Sequence, residues 1–435
     1  MDWNFELLEE WDDKITSLAK EKGLDWFPIT YEVCDYFSMI GHMSYHGMPT
    51  HYGHWSYGKA FERTHTMYNM GAEGLPYELI INSNPSIAYL MRENPAYLQI
   101  LIMAHCVGHS DFFKNNRMFK NTRPESIVGK MRSAKKRIQS YVEDPTIGIE
   151  EVEAVMDAAH ALQFQTQRYG QLRSTQEELV EKYTKLIKED TSEVYEFFDI
   201  NRKPLEPDYD VLEFIGNNSR NMPAWKKDLI EIIREESQYF IPQMQTKIMN
   251  EGWASYWHYT LCHELDLPAQ WHIPFIKMHN QVIRPHIGGL NPYHLGFVIF
   301  QDIKERYGIE ECFIARECSH DVSFIRQYLT PELCEKLGLF SFSDKRKRGV
   351  TIDEIHDEEG WTKVKETLIK NIGSNGIPVI YVEEVEADNT LILRHEHDSR
   401  DLDLDHCDEV LRHVKTLWGD EAKLFTVIEE ELWEI

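Results

Sequence analysis

The chain has 435 residues, a formal net charge of −27, and 42% hydrophobic and 12% aromatic residues. That composition supplies a substantial core and excludes an intrinsically disordered chain. So large a negative charge repels nucleic-acid backbones and anionic membrane surfaces, so neither is an expected partner.

The first residues, "MDWNFELLEEWDD", have no basic stretch followed by an apolar one, so no export signal is expected. No run of about 18 apolar residues occurs, so no membrane span is expected. The seven cysteines form no CxxC pair, and reduced thiols in a cytoplasmic protein are expected.

Residues 4–22 carry Leu7, Leu8, Trp11, Ile15 and Leu18 at helical spacing and predict a docking helix. The stretch from Cys34 to Phe61 is dense in Gly, His, Tyr and Met and reads as loop with short turns. Its histidines His42, His46, His51 and His54 read as surface and pocket-wall residues, with metal ligation as the alternative. Leu79–Ile81 reads as a strand, and Asn84-Pro85 as a turn into a helix with proline at its start. Helices are predicted from Pro95 to about Phe119, over Glu150–Arg168, over the charged stretch Glu177–Glu196, over Asp228–Gln238, and again after Pro242. The basic run Lys345–Arg348 reads as a solvated linker. Beyond it, "PVIYVEEVEADNTLILRHEHD" predicts two strands joined near Asp388-Asn389. Helices at Trp361–Asn371 and Leu404–Trp418 flank this hairpin, and a last strand is expected over Lys423–Glu430. The fold expected is a mostly α-helical main domain, residues 1–342, with a small C-terminal α/β domain, residues 343–435.

Three of the predicted helices present ligand-type side chains on one face. His105 and His109 in "AHCVGHSDFFKNN" stand one turn apart, the spacing at which two imidazoles reach one metal ion. Glu153, Asp157 and His160 share a face of "EVEAVMDAAH", and Glu251 and His258 share a face of "EGWASYWH". A bare HxxxH is weak evidence, because 20 histidines give about one such pair by chance, and His42/His46 is another. Context adds weight. Apolar residues Ile100–Ala104 precede His105, Glu153 and Asp157 lie among Val152, Val155 and Met156, and Glu251 stands among Gly, Trp and Ala. Charges carried into a core must be paired or coordinated. Hydrogen-bonded core pairs without any metal are the alternative reading.

With "HCVGHSDFFKNN" and "NEGWASYWH", the segments "HWSYGKAF", "YELIINSNPSIAYLM", "VEAVMDAAHAL", "NPYHLGFVIFQDI" and "SFIRQYLT" resemble the stage V sporulation protein R (SpoVR) family. They run in family order across residues 30 to 340, and the C-terminal segment resembles the family's tail. The family pattern has histidine at the position of Gly53. The resemblance implies a soluble protein acting in formation of the spore cortex, a peptidoglycan layer. Members in bacteria that do not sporulate imply a broader role.

A second similarity is to zinc peptidases in which an HExxH helix supplies two histidines and a later helix a glutamate. Carried over by position, it implies His105, His109 and Glu251 as zinc ligands, with Cys106 where such peptidases have their general base. The expectation is therefore a metal-dependent hydrolase of an amide bond in peptidoglycan or its precursors, with a divalent metal, zinc first. His258 and His160 are the next candidate ligands, and Glu153 or Asp157 the candidate base. Asp111 is expected to orient a ligand histidine, and Asn115 and Asn116 to cap structure or touch substrate. Two alternatives remain. One is a dinuclear carboxylate-bridged site, although the Glu-x-x-His spacing typical of it occurs only at Glu62/His65 and Glu317/His320 and is approximated by Asp157/His160. The other is a non-enzymatic scaffold or regulator that binds cortex-pathway proteins.

Overall fold

The computed structural model describes residues 3–70, 78–167, 174–189, 200, 202–285, 289–339, 341–343, 351–353 and 358–435. In chain order the elements are α1 (Phe5–Glu21), β1 (Ile29–Cys34), α2 (Tyr36–Ser44), α3 (Trp55–Asn69), β2 (Glu78–Ile81), β3 (Ser86–Met91), α4 (Ala96–Asn115), α5 (Ile127–Glu143), α6 (Gly148–Ala161), α7 (Gln176–Glu189), α8 (Val211–Asn218) and α9 (Ala224–Gln245). There follow α10 (Lys247–Glu264), α11 (Ala269–Val282), α12 (Pro292–Tyr307), α13 (Ile309–Cys318), α14 (Asp321–Tyr328), α15 (Pro331–Lys336), β4 (Ser341–Ser343), β5 (Thr351–Asp353), α16 (Glu358–Asn371), β6 (Ile380–Val385), β7 (Leu391–His395), α17 (Leu404–Trp418), β8 (Ala422–Ile428) and β9 (Glu431–Glu434). The protein is mostly helical, with an α/β C-terminal region, as its sequence predicts. Among the described residues no helix is long and apolar enough to cross a membrane.

Two compact units form, each from two stretches of chain. The first holds Met1–Lys135 and Pro242–Gly376, the second Lys136–Ile241 and Ile377–Ile435. In the second unit β6, β7, β8 and β9 form one sheet in that order. β6 and β7 pair antiparallel, and Asn389 turns the hairpin with φ +80°. β7 and β8 are parallel, so the chain needs a crossover, and α17 supplies it.

In the first unit β1, β3 and β2 form a sheet in that order, β1 parallel and β2 antiparallel to the central β3. Two sequence expectations change here. The Asn84-Pro85 turn leads into strand β3, not a helix, because residues 86–91 gain partners on both sides there. The stretch read as loop contains α2 and the start of α3. Asp35 caps α2 by accepting from the Ser38 amide at 2.8 Å, and the His54 side chain caps α3. Pro242 lies inside α9, and α10 begins later, at Lys247. The run Lys345–Arg348 and the end of the helix expected over Glu177–Glu196 lie outside the described residues.

The core of the first unit is built on α4 and α10, both buried on nearly every face. Helices so enclosed need their terminal amides satisfied by protein. Thr246, before α10, makes no side-chain cap. Instead Asp321, the first residue of α14, accepts from the Ile248 and Met249 amides, each at 2.9 Å. Burial pushes the Asp321 carboxyl up to about 7, although the two amides and Lys247 favour its charge. Between about pH 4 and 7 the folded chain therefore holds a proton here that the unfolded chain has lost, so stability falls as pH rises through that window. An asparagine cannot ionise. The metal-free wild type should lose stability relative to Asp321→Asn as pH rises from 4.5 to 7, on the order of 1.4 kcal/mol per pH unit at most. Urea denaturation of both proteins across that range measures the difference, and a constant difference contradicts the assignment.

Candidate metal centre

Helices α4 and α10 run antiparallel in contact. Gly108 meets Ala254 so closely that a Cβ at 108 would lie 2.7 Å from the Ala254 Cα. This approach brings His105 and His109 of α4 to Glu251 of α10, and Glu78, the first residue of β2, completes a group of four. One donor atom from each lies within 4.8 Å of all the others. His109 Nε2 is 3.3 Å from Glu251 Oε2, and His105 Nε2 is 3.6 Å from Glu251 Oε2 and from Glu78 Oε1. Donors at tetrahedral corners about 2.05 Å from a zinc ion stand about 3.3 Å apart, so these spacings suit one ion.

Each donor is aimed by a neighbour. His109 Nδ1 lies 2.8 Å from Asn250 Oδ1, a bond in which only the ring nitrogen can donate, which leaves Nε2 as the lone pair. His105 Nδ1 lies 2.8 Å from His258 Nδ1, and His258 Nε2 lies 2.7 Å from His279 Nδ1. Lys247 Nζ holds Glu251 Oε1 at 2.5 Å, and the Tyr293 hydroxyl donates to Glu78 Oε1 at 3.2 Å. Among the described residues His105 Nε2 and Glu251 Oε2 are buried and have no hydrogen-bond partner. Buried polar atoms are rarely left so, and two of them facing each other across 3.6 Å fit an ion between them. Two imidazoles and two carboxylates are a donor set that zinc accepts.

Electrostatics agree with an anionic Glu251. Burial opposes its charge, but Lys247 and His109 outweigh burial and hold its carboxyl well below the usual range. Burial likewise opposes a charged His109, yet the Glu251 carboxylate raises its pKa. Burial, then its histidine neighbours, hold His258 well below the ordinary imidazole value, and His279 comes down to about 4, so both are neutral near pH 7. Burial, then Glu78, keeps the Cys106 thiol protonated, so it cannot serve as a base.

The other residues singled out in the sequence lie elsewhere. His258 touches the Nδ1 side of His105, away from the four donor atoms. Glu153, Asp157 and His160 are half-buried on α6, in the second unit, and none belongs to the group of four. Asp111 is fully buried but meets no histidine among the described residues. It accepts from the Asp25 amide and the Trp253 indole, each at 2.8 Å, and Arg316 lies 3.6 Å away. The orienting role expected of it is filled at His109 by Asn250. Asn115 donates to the Asp25 and Asp111 carbonyls, and Asn116 to those of Arg316 and Ser319, so both tie backbone together. His42 stacks on Tyr89 with ring centroids 4.0 Å apart. Helical spacing marks His105 with His109 and Glu251 with His258, each pair within one helix, and Glu78, Lys247, Asn250, His279 and Tyr293 are not singled out by it.

Residues 2–377 match the family described as "SpoVR like protein", and residues 378–429 match "SpoVR-like C-terminal domain". The chain is similar to a protein of Escherichia coli (strain K12) described as "Uncharacterized protein YcgB", 35% identical over 477 aligned positions that cover 97% of this chain and 92% of the relative. No solved structure matches the chain. With both parts of the family matched in order, and a similarity that spans almost the whole chain, the protein belongs to the SpoVR family.

Proposed function

We propose that this sporulation-related protein is a metal-dependent hydrolase of an amide bond in peptidoglycan or its precursors. His105, His109 and Glu251 hold one divalent ion, zinc by choice of donors, and Glu78 is the general base. The observation that carries this reading is the pair of buried, unpartnered donor atoms, His105 Nε2 and Glu251 Oε2, inside a cluster of four ligand-type residues. The family's link to the spore cortex supports the substrate class.

A zinc ion at such a site polarises a carbonyl and brings the pKa of water near neutrality. The chain's own residues do the rest. Lys247 fixes Glu251 Oε1, so Oε2 faces both imidazoles. Glu78 takes the proton of the attacking water and returns it to the leaving amine, the task of the glutamate that Cys106 replaces. The Tyr293 hydroxyl holds that carboxylate in place. At 12% side-chain exposure Glu78 is the least buried of the four, as suits a group that meets solvent and substrate. A dinuclear carboxylate-bridged centre draws on about six protein ligands, more than this cluster offers, which favours one ion.

Protein purified without chelator should carry about one equivalent of a transition metal by elemental analysis. Less than about 0.2 equivalents refutes the metal reading, and two equivalents favour a dinuclear site. Glu78→Gln should keep its metal and lose hydrolysis of peptidoglycan fragments. If Glu78→Gln loses the metal instead, Glu78 is a fourth ligand, the site is closed, and a structural metal replaces the hydrolase.

A further inference from the structure

We propose that His258 and His279 are positioning residues that hold His105 in its Nδ1–H tautomer through a directed chain of three hydrogen-bonded imidazoles. The inference rests on the reading of His105 as a metal ligand through Nε2. Three buried rings are joined in series, His105 Nδ1 to His258 Nδ1 at 2.8 Å and His258 Nε2 to His279 Nδ1 at 2.7 Å. Each link holds one proton between two nitrogens, so one ring donates and the other accepts.

Among the described residues no carboxylate lies within ion-pair distance of His258 or His279, and Tyr259 and Phe297 pack on the His279 ring with centroids 4.7 and 5.1 Å away. A chain with one proton in each link has two polarities. In one, His105 carries its proton on Nε2 and cannot ligate through it. In the other, His105 Nδ1–H donates to His258 Nδ1, which places the proton of His258 on Nε2. His258 Nε2–H then donates to His279 Nδ1, which places the proton of His279 on Nε2.

An ion at His105 Nε2 admits only the second polarity. By linkage, the acceptor at His258 strengthens His105 as a ligand, as outer partners of metal-bound histidines do. The two ligand rings are therefore held differently: His109 by an amide oxygen that can only accept, His105 by an imidazole whose own tautomer depends on a third ring.

The test is a long-range proton–nitrogen correlation spectrum of zinc-loaded protein labelled with ¹⁵N-histidine. The expected tautomers are Nδ1–H for His105 and Nε2–H for His258 and His279. An Nδ1–H or doubly protonated His258 in that spectrum overturns the proposal. Zinc affinity by chelator competition gives a second readout. His258→Asn supplies a carbonyl acceptor near the Nδ1 position and should keep Kd within about threefold, whereas His258→Leu should weaken binding about 10–100-fold. Wild-type affinity in His258→Leu overturns the positioning role while leaving the metal site standing. Absence of zinc binding by the wild type, or wild-type affinity in Glu251→Gln, overturns the metal reading itself and this inference with it.

Discussion

Glu251→Gln should weaken zinc binding at least about 100-fold, more than the loss of an outer partner costs, and leave the metal-free chain folded. Glu251 Oε2 faces both imidazoles, at 3.3 and 3.6 Å, so it is the donor that joins the two ligand rings. The amide that replaces it has nearly the same shape but no charge, and a neutral amide is a poor ligand for zinc. The fold tolerates the change because Lys247, the cation paired with Glu251, has a side chain 58% exposed that water can solvate once its partner is neutral. Burial opposes a charge on His109, and removing the Glu251 carboxylate takes away what favours one, so no charge is stranded on that ring. Chelator competition gives the affinity, and urea denaturation of the metal-free protein checks the fold. Wild-type zinc affinity in this variant would remove Glu251, and with it the proposed site.

How much of this site the sequence carries depends on which interactions are local. His105 and His109 are legible because one helix fixes their spacing and the apolar residues before them announce burial. The spacing of seven between Glu251 and His258 marks one helix face, but it also separates the two by about 10 Å along the axis. In the antiparallel pair of α4 and α10, Glu251 therefore reaches the Nε2 side of both histidines, while His258, two turns on, meets His105 at Nδ1. Same-face spacing alone cannot separate a ligand from the residue that aims it.

Glu78 is harder still. It opens a four-residue edge strand, and what places it at the site is the pairing of β2 with β3, in which Glu78 lies opposite Leu90. Strand pairing is non-local, and residues 86–91 themselves read as helical until β1 and β2 flank them. The face of Glu153, Asp157 and His160 gave the same kind of signal as that of Glu251 and His258. Periodicity reports that a helix turns polar groups toward a core, and not which helix it will meet; α6 lies in the second unit. Asp111 shows the same limit at the level of one side chain. Its burial follows from its place on α4, but its partner proved to be an indole and not an imidazole.

Gly252→Ala should destabilise the protein by about 3 kcal/mol or more and loosen the metal site with it. A methyl group at position 252 would stand 2.4 Å from the Cα and carbonyl carbon of Gly296 on α12. These are backbone atoms, so no side chain can swing aside to admit it. The contact is reciprocal, since a Cβ at Gly296 would stand 2.1 Å from the Ile248 carbonyl oxygen. α10 is thus clamped between α12, through Gly252 and Gly296, and α4, through Ala254 and Gly108. Displacing α10 from α12 moves Glu251, the neighbouring residue, relative to His105 and His109, so zinc affinity should fall together with stability. Gly129 on α5, where an added Cβ meets nothing within 4 Å, is the control. Gly129→Ala should be neutral or stabilising by up to about 1 kcal/mol, the ordinary helix preference for alanine. Urea denaturation of the metal-free variants and chelator competition with zinc measure the two effects. A Gly252→Ala protein with wild-type midpoint and affinity would show that α10 and α12 are not packed backbone to backbone, and the geometry derived for Glu251 would fall with that packing.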